Sequence, residues 1–302
     1  MREQGLLTAR LLFLSILLAV PKALSQEKDP QTLISGAPLY NPNVSVHIVE
    51  KKPFADQGKH EIILYPGAIQ VNGKFTQHFG SALSYVYHLH ENFGLQLIGQ
   101  YNWYSRESGF NQELIDKVRE EAQAATSLLL VWALQAGLEV TPIYGKFAFL
   151  DGSLAHFSLV ISAGAGLGST RHQLHHEDAS GPATFGDTGL KFVGSVGAGF
   201  RVQFGSRFAL RLEVRDLAYT ARVDRVNGCN STDLNAMAEQ LGLGQPVTAA
   251  QVSQGCSVSS FSGVKNGYNR SNDIPLALNL VSTPSSDVLN NLGLYAGLSV
   301  LF

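Results

Sequence analysis

The feature that most constrains the fold is an alternation of side-chain character with a period of two, sustained over long stretches of the chain. In residues 75–89 the odd positions are mostly large and apolar, whereas the even positions are small or polar. Residues 93–103 repeat this arrangement after the short separation 90–92. A period of two places alternate side chains on opposite faces of a β-strand. The pattern therefore predicts long strands with one apolar face, joined here as a hairpin.

Eight segments carry this pattern, and the connections between them are alternately short and long for most of the chain. Short turns at one end and long loops at the other are typical of transmembrane barrels. We therefore predict an all-β fold, a single transmembrane antiparallel up-and-down β-barrel of eight strands, with long extracellular loops and a short loop helix at 111–125. The barrel domain extends over 59–302, and its largest outer loop over 221–288. The predicted strands are 60–71, 75–89, 93–103, 130–140, 157–167, 192–204, 208–214 and 292–302.

The composition separates a membrane barrel from other classes that this length allows. Hydrophobic residues make up 45% of the chain and charged residues 15%, whereas a soluble domain has about 25% charged residues. The net charge of −2 excludes a basic nucleic-acid binder. A soluble β-sandwich is the alternative, and it would bury the apolar faces between two sheets. The opposite faces combine small residues with charged ones, which favours a crowded barrel lumen.

Charged side chains at inward positions predict an ion-pair network inside the barrel. The interior of an eight-stranded barrel is just wide enough to be filled by its own side chains, so we expect a packed plug. We predict 141–156 as a long periplasmic connection, broken at Pro142. A small-solute channel stays open as an alternative if 141–156 or 240–288 add strands. The predicted network consists of Glu139, Lys191, Arg201, Arg211, Glu213 and Arg215.

The first 25 residues have the pattern of a secretory signal peptide. Arg2 and Arg10 flank an apolar stretch at 11–20, and Ala23 and Ser25 supply small residues for a cleavage site. The apolar stretch is shorter than the roughly 20 residues that a transmembrane helix needs. We predict a signal peptide over 1–25, a periplasmic N-terminal segment over 26–58, and localisation in the outer membrane of a Gram-negative cell envelope.

The two cysteines of the chain, Cys229 and Cys256, both fall in the predicted outer loop 221–288. An exported chain reaches an oxidising compartment, where disulfide bonds form and persist. We therefore predict a disulfide between them that organises this loop around a short helix at 233–241. Two unpaired thiols are the alternative.

The chain ends on an alternating strand that resembles the C-terminal signal of bacterial outer-membrane barrels. The matching residues are Tyr295, Gly297, Val300 and Phe302. In those barrels the signal engages the barrel-assembly machinery. We therefore expect two partners during biogenesis, this machinery and the outer-membrane lipid bilayer.

The body of the chain resembles the outer-membrane β-barrel domain family found widely in myxobacteria. The resemblance covers roughly 47–221 and the last strand, and it rests on short motifs whose order and spacing together are specific. It implies an outer-membrane barrel, some members of which attach to surface machinery such as that of gliding motility. The resemblance implies no catalytic residues for this chain. The motifs are His60-Glu61-Ile62, Ser84-Tyr85-Val86-Tyr87-His88, Glu91-Asn92-Phe93-Gly94, Pro142-Ile143-Tyr144-Gly145-Lys146, His156-Phe157, Gly164-Ala165-Gly166 and Leu210-Arg211-Leu212-Glu213-Val214-Arg215-Asp216.

A histidine-rich stretch is the strongest candidate for metal binding. His172, His175 and His176 precede Glu177 and Asp178, and neutral imidazole is a ligand for zinc and copper. The stretch lies in a predicted surface loop, for which a solvated polar role is the default interpretation. We therefore predict no metal site and keep the histidine cluster as the alternative.

Two further patterns bear on nucleotide binding and catalysis. The glycines of 164–168 have the wrong spacing for a dinucleotide loop, and no helix follows them. His78 with Ser81 or Ser84 is the candidate pair for a lipid-modifying enzyme, and a constellation across strands is left open. His78 and Ser81 lie on opposite faces of the strand, and His78 and Ser84 are about 20 Å apart along it.

The leading functional prediction is a non-enzymatic integral outer-membrane protein that acts as a structural or interaction component of the envelope. We expect a protein partner of unknown identity, no cofactor and no nucleic acid. A porin-like channel is the first alternative, and a lipid-modifying enzyme is the second.

Overall fold

The computed structural model describes residues 56–72, 75–109, 113, 127–149, 153–179, 181–248 and 252–302. Eight long antiparallel strands form a closed barrel in the order β1-β10-β7-β6-β5-β4-β3-β2, while β8 and β9 form a separate two-stranded sheet. The predicted all-β, eight-stranded up-and-down barrel is confirmed. The strands are β1 His60–Asn72, β2 Thr76–His90, β3 Phe93–Glu107, β4 Leu128–Phe149, β5 Ser153–His175, β6 Thr184–Phe204, β7 Phe208–Thr220, β8 Val264–Lys265, β9 Tyr268–Asn269 and β10 Val288–Leu301.

The two ends of the barrel differ. At the short-turn end, residues 91–92 and 205–207 connect neighbouring strands, and Phe302 lies beside His60. At the loop end, residues 221–248 and 252–287 belong to a folded insertion, called the cap, with helices α1 (Ser231–Gly242) and α2 (Ile274–Ser282). The predicted loop helix at 233–241 falls within α1. No helix in the described part of the chain is long and apolar enough to cross a membrane.

The outward face of the barrel is a belt of exposed apolar side chains. Strand β7 shows the pattern: Phe208, Leu210, Leu212 and Val214 are exposed, and the residues between them are buried. The faces predicted from the alternation are those observed along most strands. Leu130 is an exception, because a register shift between Leu130 and Trp132 turns it inward, and its exposure is 0%.

Two predicted connections are instead mostly strand. Residues 141–149 continue β4 and residues 153–156 begin β5, so the predicted periplasmic connection 141–156 is wrong. Pro142 lies at a register shift between Val140 and Ile143, the kind of position at which a sheet tolerates a residue without an N–H group. The connection between the predicted strands 157–167 and 192–204 is likewise shorter than predicted, because β5 runs to His175 and β6 begins at Thr184.

Pro66 explains why the alternation of the first strand is blurred in the sequence. The pairing of β1 with β10 shifts between Leu64 and Gly67, and the outward hydroxyl of Ser81 donates to the carbonyl of Pro66 at 3.1 Å. The bulge therefore keeps a hydrogen-bond partner on the apolar side of the wall.

The predicted signal peptide 1–25, most of the segment 26–58 and nearly all of the helix predicted at 111–125 lie outside the described residues. Those predictions stay untested.

Arginine substitutions would locate the apolar belt. Leu212 lies in the interior of the paired region of β7, and Phe208 begins that strand at the short-turn end. We expect Leu212→Arg to lower the free energy of unfolding in lipid vesicles by about 2–4 kcal/mol, and Phe208→Arg by distinctly less. Denaturant titration of both variants would measure this. Equal losses would contradict the assignment of the outward face to lipid.

Candidate functional site: the filled bore and the cap

Arg211 is the centre of the barrel interior at its short-turn half. Its guanidinium group donates to both oxygens of Glu61, at 2.7 and 2.9 Å, and to both oxygens of Glu139, at 2.8 and 2.9 Å. A further contact of 3.3 Å reaches Glu213. These side chains have almost no solvent exposure. A single buried cation thus connects β1, β4 and β7 through charge-assisted hydrogen bonds.

Two more arginines extend this group of charges. Arg215 donates to Glu213, and it also donates to the amide oxygen of Gln96 at 2.9 Å. Arg201 pairs with Asp56 at 3.1 Å. Together the three arginines face four carboxylates, which approaches neutrality, as a buried cluster requires. We call these seven charged residues the lumen network: Asp56, Glu61, Glu139, Arg201, Arg211, Glu213 and Arg215.

Further side chains contact the outer atoms of the network. The hydroxyl of Tyr65 donates to Glu213, and a ring nitrogen of His88 lies 2.9 Å from Glu61. Nearby, the amide of Gln70 donates to the hydroxyl of Tyr295, which in turn donates to Gln100 at 2.7 Å. The bore is therefore crossed by a connected set of polar groups.

Glycines on the inner face of β6 make room for this network. A Cβ atom on Gly199 would lie 2.4 Å from the carbonyl oxygen of Leu212, and one on Gly197 would lie 2.7 Å from Cγ of Arg215. The glycines 164, 166 and 168 lie inside β5 rather than in a loop that opens a helix, so they form no dinucleotide-binding turn.

The structure brings together five of the six residues predicted for the network, and Lys191 is not among them. Its ammonium group donates instead to the backbone carbonyl of Arg222 at the loop end. The prediction missed Glu61 and Asp56. Glu61 lies in the strand whose alternation the bulge at Pro66 disrupts, and Asp56 precedes the first strand. The charge of Glu61 itself was the signal that could have placed it inside, because charged side chains on the lipid-facing side of a barrel are destabilising.

An apolar cluster fills the loop-end half of the bore. Barrel residues and cap residues form one continuous core, so the cap closes the mouth from above. Leu130, Leu217 and Tyr219 have exposures of 2% or less. Further members are Leu128, Val193 and Leu289 from the barrel and Val226, Leu234, Met237, Phe261, Ile274 and Ala277 from the cap.

The cap is a folded unit tied to the barrel wall. A disulfide joins Cys229 to Cys256, as the cysteine positions predicted. The backbone N–H of Asn227 donates to the carbonyl of Asp187 on β6 at 2.7 Å, and its side chain accepts from the Asp187 N–H at 2.9 Å. Val226 packs against Gly186 of the same strand, where a Cβ would come within 2.4 Å.

Helix α1 begins with a reciprocal capping box. Asn230 accepts from the N–H of Asp233, and Asp233 accepts from the N–H of Asn230, both at 3.0 Å. Asp233 also accepts from the N–H and hydroxyl of Ser253, at 2.8 and 2.6 Å. Burial alone would raise the pKa of Asp233, but these hydrogen bonds outweigh it and hold the pKa below its usual value. The charged carboxylate therefore fixes the loop that carries Cys256.

Of the three candidate metal-binding histidines, His175 and His176 lie side by side, with ring centroids 5.6 Å apart, and His172 does not join them. His172 contacts the hydroxyl of Ser127 at 2.7 Å inside the wall, whereas His175 stacks on Tyr268 of the cap with ring centroids 4.2 Å apart. His176 lies beside Asp178 at 3.8 Å. Among the described residues, no group of three or more potential ligand side chains could hold a metal ion.

The serine and histidine pairs lack the geometry of an exposed catalytic site. His78 accepts from the backbone N–H of Leu130 at 3.1 Å, and Ser81 points outward to Pro66. The close pair Ser127 and His172, which the sequence did not suggest, is buried at 3% and 2% exposure. A substrate would have to enter the wall to reach either side chain.

Three solved proteins align with the chain at low similarity. Ail, the attachment invasion locus protein of Yersinia pestis, in complex with the heparin analogue sucrose octasulfate, is 10% identical, covering 82% of this chain and 99% of that chain, with a TM-score of 0.32. Neisserial surface protein A (NspA) is 11% identical, covering 81% of this chain and 97% of that chain, with a TM-score of 0.30. The N-terminal β-barrel domain of Pseudomonas aeruginosa OprF is 10% identical, covering 82% of this chain and 98% of that chain, with a TM-score of 0.30. No protein-family model and no curated protein matches the chain.

Removal of Arg211 would test how strongly the lumen network stabilises the barrel. Arg211→Met leaves Glu61 and Glu139 buried without their cation, and we expect a loss of about 3–5 kcal/mol in the free energy of unfolding. Arg222→Met is the matched control, because its pair with Asp224 is about 60% exposed on both sides and should be worth no more than about 1 kcal/mol. Denaturant titration would compare them. Similar losses in the two variants would contradict a stabilising network.

Replacement of both cysteines by serine would test the cap separately from the barrel. The bond closes a loop with a sequence separation of 27, and its loss releases about 3–4 kcal/mol of chain entropy in the unfolded state. We expect faster proteolysis within the cap, with unchanged heat-modifiable migration of the barrel. Wild-type protein reduced with dithiothreitol should behave like the variant. Equal cleavage rates in oxidised and serine-substituted protein would contradict the role assigned to the bond.

Proposed function

We propose that the chain is a non-enzymatic integral protein of the Gram-negative outer membrane, in which a closed barrel carries the cap for contact with an envelope partner. One observation carries the proposal: the bore is filled at two levels, by the lumen network in one half and by the core shared with the cap in the other. The barrel therefore serves as a support rather than as a passage.

The outward belt supports a membrane location. Exposed large apolar side chains follow every strand of the barrel, and they include aromatic residues towards the ends, such as Trp103, Phe192, Phe208 and Phe302. In outer-membrane barrels the short turns face the periplasm and the long loops face outward. This orientation places the cap outside the cell and Asp56 on the periplasmic side.

The alternatives have less support. A porin-like channel needs a continuous aqueous path, and Arg211 with its carboxylates crosses the bore at hydrogen-bonding distances. A lipid-modifying enzyme needs reactive groups open to the bilayer or to solvent, and the Ser127–His172 pair is enclosed. The folded, disulfide-bonded cap instead offers a stable outer surface, which favours interaction.

The biogenesis partners and the pathway stay proposals. Val300 and Phe302 are exposed on the outward face, whereas Tyr295 and Gly297 are buried and also have packing roles. Recognition of these four residues by the barrel-assembly machinery stays a prediction of the C-terminal resemblance. Attachment to surface machinery such as that of gliding motility stays a prediction of the family resemblance.

Conductance measurement tests the closed bore. Purified full-length protein in planar bilayers should give no steady open current, because both halves of the bore are filled. A general porin reconstituted in parallel is the control for insertion and detection. A steady, ohmic current from the intact protein, insensitive to reduction of the disulfide, would overturn the proposal in favour of a channel.

A further inference from the structure

Two arginine side chains lie on the outward face of the barrel wall at its loop end, and we call them the arginine pair. Arg106 of β3 is half-buried between the buried residues 105 and 107, and Arg171 of β5 is half-buried between the buried residues 170 and 172. The guanidinium group of Arg171 donates to the carbonyl of Ser105 at 3.1 Å. Two cations from different strands therefore meet at the end of β3.

Strand β4, which separates β3 from β5 in the wall, is recessed at this level. Its pairing with β3 ends at the contact of Trp132 with Tyr101. Its first three residues, 128–130, all have exposures of 2% or less, although alternate residues of a wall strand face outward. Arg171 pairs with Leu129 of this recessed start. The recess lets the side chain of Arg171 pass over β4 and reach β3.

The arginine pair carries more positive charge than its described neighbours neutralise. Arg106 forms an ion pair with Glu177 at 3.0 Å, with side-chain exposures of 41% and 63%, and such exposed pairs are weak. Arg171 has no ion pair within the described segments. The carboxylate of Asp178 faces the two imidazoles at the end of β5 instead. Two cations against Glu177 leave one positive charge without a partner among the described residues.

Most N–H donors of the pair have no acceptor in the described part of the chain. Each guanidinium group has five N–H donors. Arg106 makes one hydrogen bond, to Glu177, and Arg171 makes one, to Ser105. The pair therefore has the donors for a further anionic group with several oxygens.

Aromatic rings hold the pair at the border of the apolar belt. The ring of Phe185 lies 4.0 Å from Cζ of Arg171, and the ring of Tyr104 lies 5.7 Å from Cζ of Arg106. Trp103 is exposed on the same outward face of β3. Aromatic girdles mark the level at which hydrocarbon meets lipid headgroups. The arginine pair therefore lies at headgroup level, directly above apolar wall.

We propose that Arg106 and Arg171 bind the phosphate group of an outer-leaflet lipid. A guanidinium group matches phosphate oxygens with parallel N–H donors, and two such groups on different strands can bind different oxygens of one phosphate. The exposed aromatic side chains beneath the pair contact the acyl chains of the same lipid. This inference rests on the proposed outer-membrane location and adds a lipid ligand to the wall, separate from the cap.

Quenching of tryptophan fluorescence by brominated lipid tests the site. The chain has only two tryptophans, so Trp132→Phe leaves Trp103 as the single reporter beside the pair. Full-length protein with this substitution is reconstituted in phosphatidylcholine vesicles that contain increasing fractions of phosphatidic acid with brominated acyl chains. Each arginine near a membrane surface contributes about fivefold in affinity for anionic lipid. We therefore expect brominated phosphatidic acid to bind at least about fivefold more tightly than brominated phosphatidylcholine.

Arginine variants identify the residues responsible. Arg106→Gln with Arg171→Gln should abolish the preference for phosphatidic acid. Arg222→Gln with Arg225→Gln is the matched control, because it removes two exposed arginines at the loop end and should keep the preference. Heat-modifiable migration reports the folding of each variant. If the double variant does not fold, Arg106→Gln alone decides, since it keeps the contact of Arg171 with Ser105, and we expect a loss of at least about threefold.

Inorganic phosphate distinguishes a lipid headgroup from a free ion. Added at the same total concentration as phosphatidic acid, it should leave the quenching unchanged, because the acyl chains also hold the lipid at the wall. Displacement of the lipid by this concentration of phosphate would overturn the lipid assignment. A preference that is absent from the parent protein, or that survives loss of the arginine pair, would refute the site. In either case, heat-modifiable migration and the conductance result would still report separately on the closed barrel.

Discussion

Much of the barrel interior depends on how one buried guanidinium group is neutralised. Arg211 faces Glu61 on β1 and Glu139 on β4, strands from well-separated parts of the wall, while Glu213 contacts it from its own strand. A cation enclosed in this way is tolerated only with paired charges and complete hydrogen bonding. The contacts therefore require a definite register of β1, β4 and β7. A slip of one residue in any of these strands would turn its carboxylate or guanidinium towards the apolar belt.

The alternation of the sequence was enough to predict the barrel, because each face of a strand meets one kind of environment over its whole length. It was not enough where a bulge changes parity. Counting along 130–140 predicts that Leu130 faces outward, but the shift before Trp132 turns it into the core beneath the cap. Pro142 predicts the end of a strand, but a register shift accommodates its missing N–H group and β4 continues. Local pattern cannot show such shifts, since they are decided by pairing with the neighbouring strand.

The same reasoning explains which charged residues could be assigned. Inward parity identified Glu139, Arg201, Arg211, Glu213 and Arg215, whose strands alternate cleanly. Lys191 shares that parity, but parity does not give the height of a residue along the bore. Its long side chain reaches the carbonyl of Arg222 at the loop end, away from the other members along the bore. Asp56 could not be assigned by alternation at all, because it enters the bore from a turn rather than from a strand.

The two halves of the bore are filled by different kinds of side chain. The difference follows from which segments the chain supplies at each end of the barrel. At the loop end an insertion of many residues is available, and it folds around Phe261, Leu234 and Ile274 into a core that continues into the barrel. At the other end only short turns and a few residues before β1 are present among the described segments. Charged side chains of the strands therefore fill this half of the bore and neutralise one another. The ion pair of Asp56 with Arg201 is the one place where a residue from outside the strands joins that network. The same short segment binds Glu91 and leads directly into β1, whose first residue, His60, is hydrogen-bonded to Phe302, so the described residues before β1 are held at the point where the barrel closes.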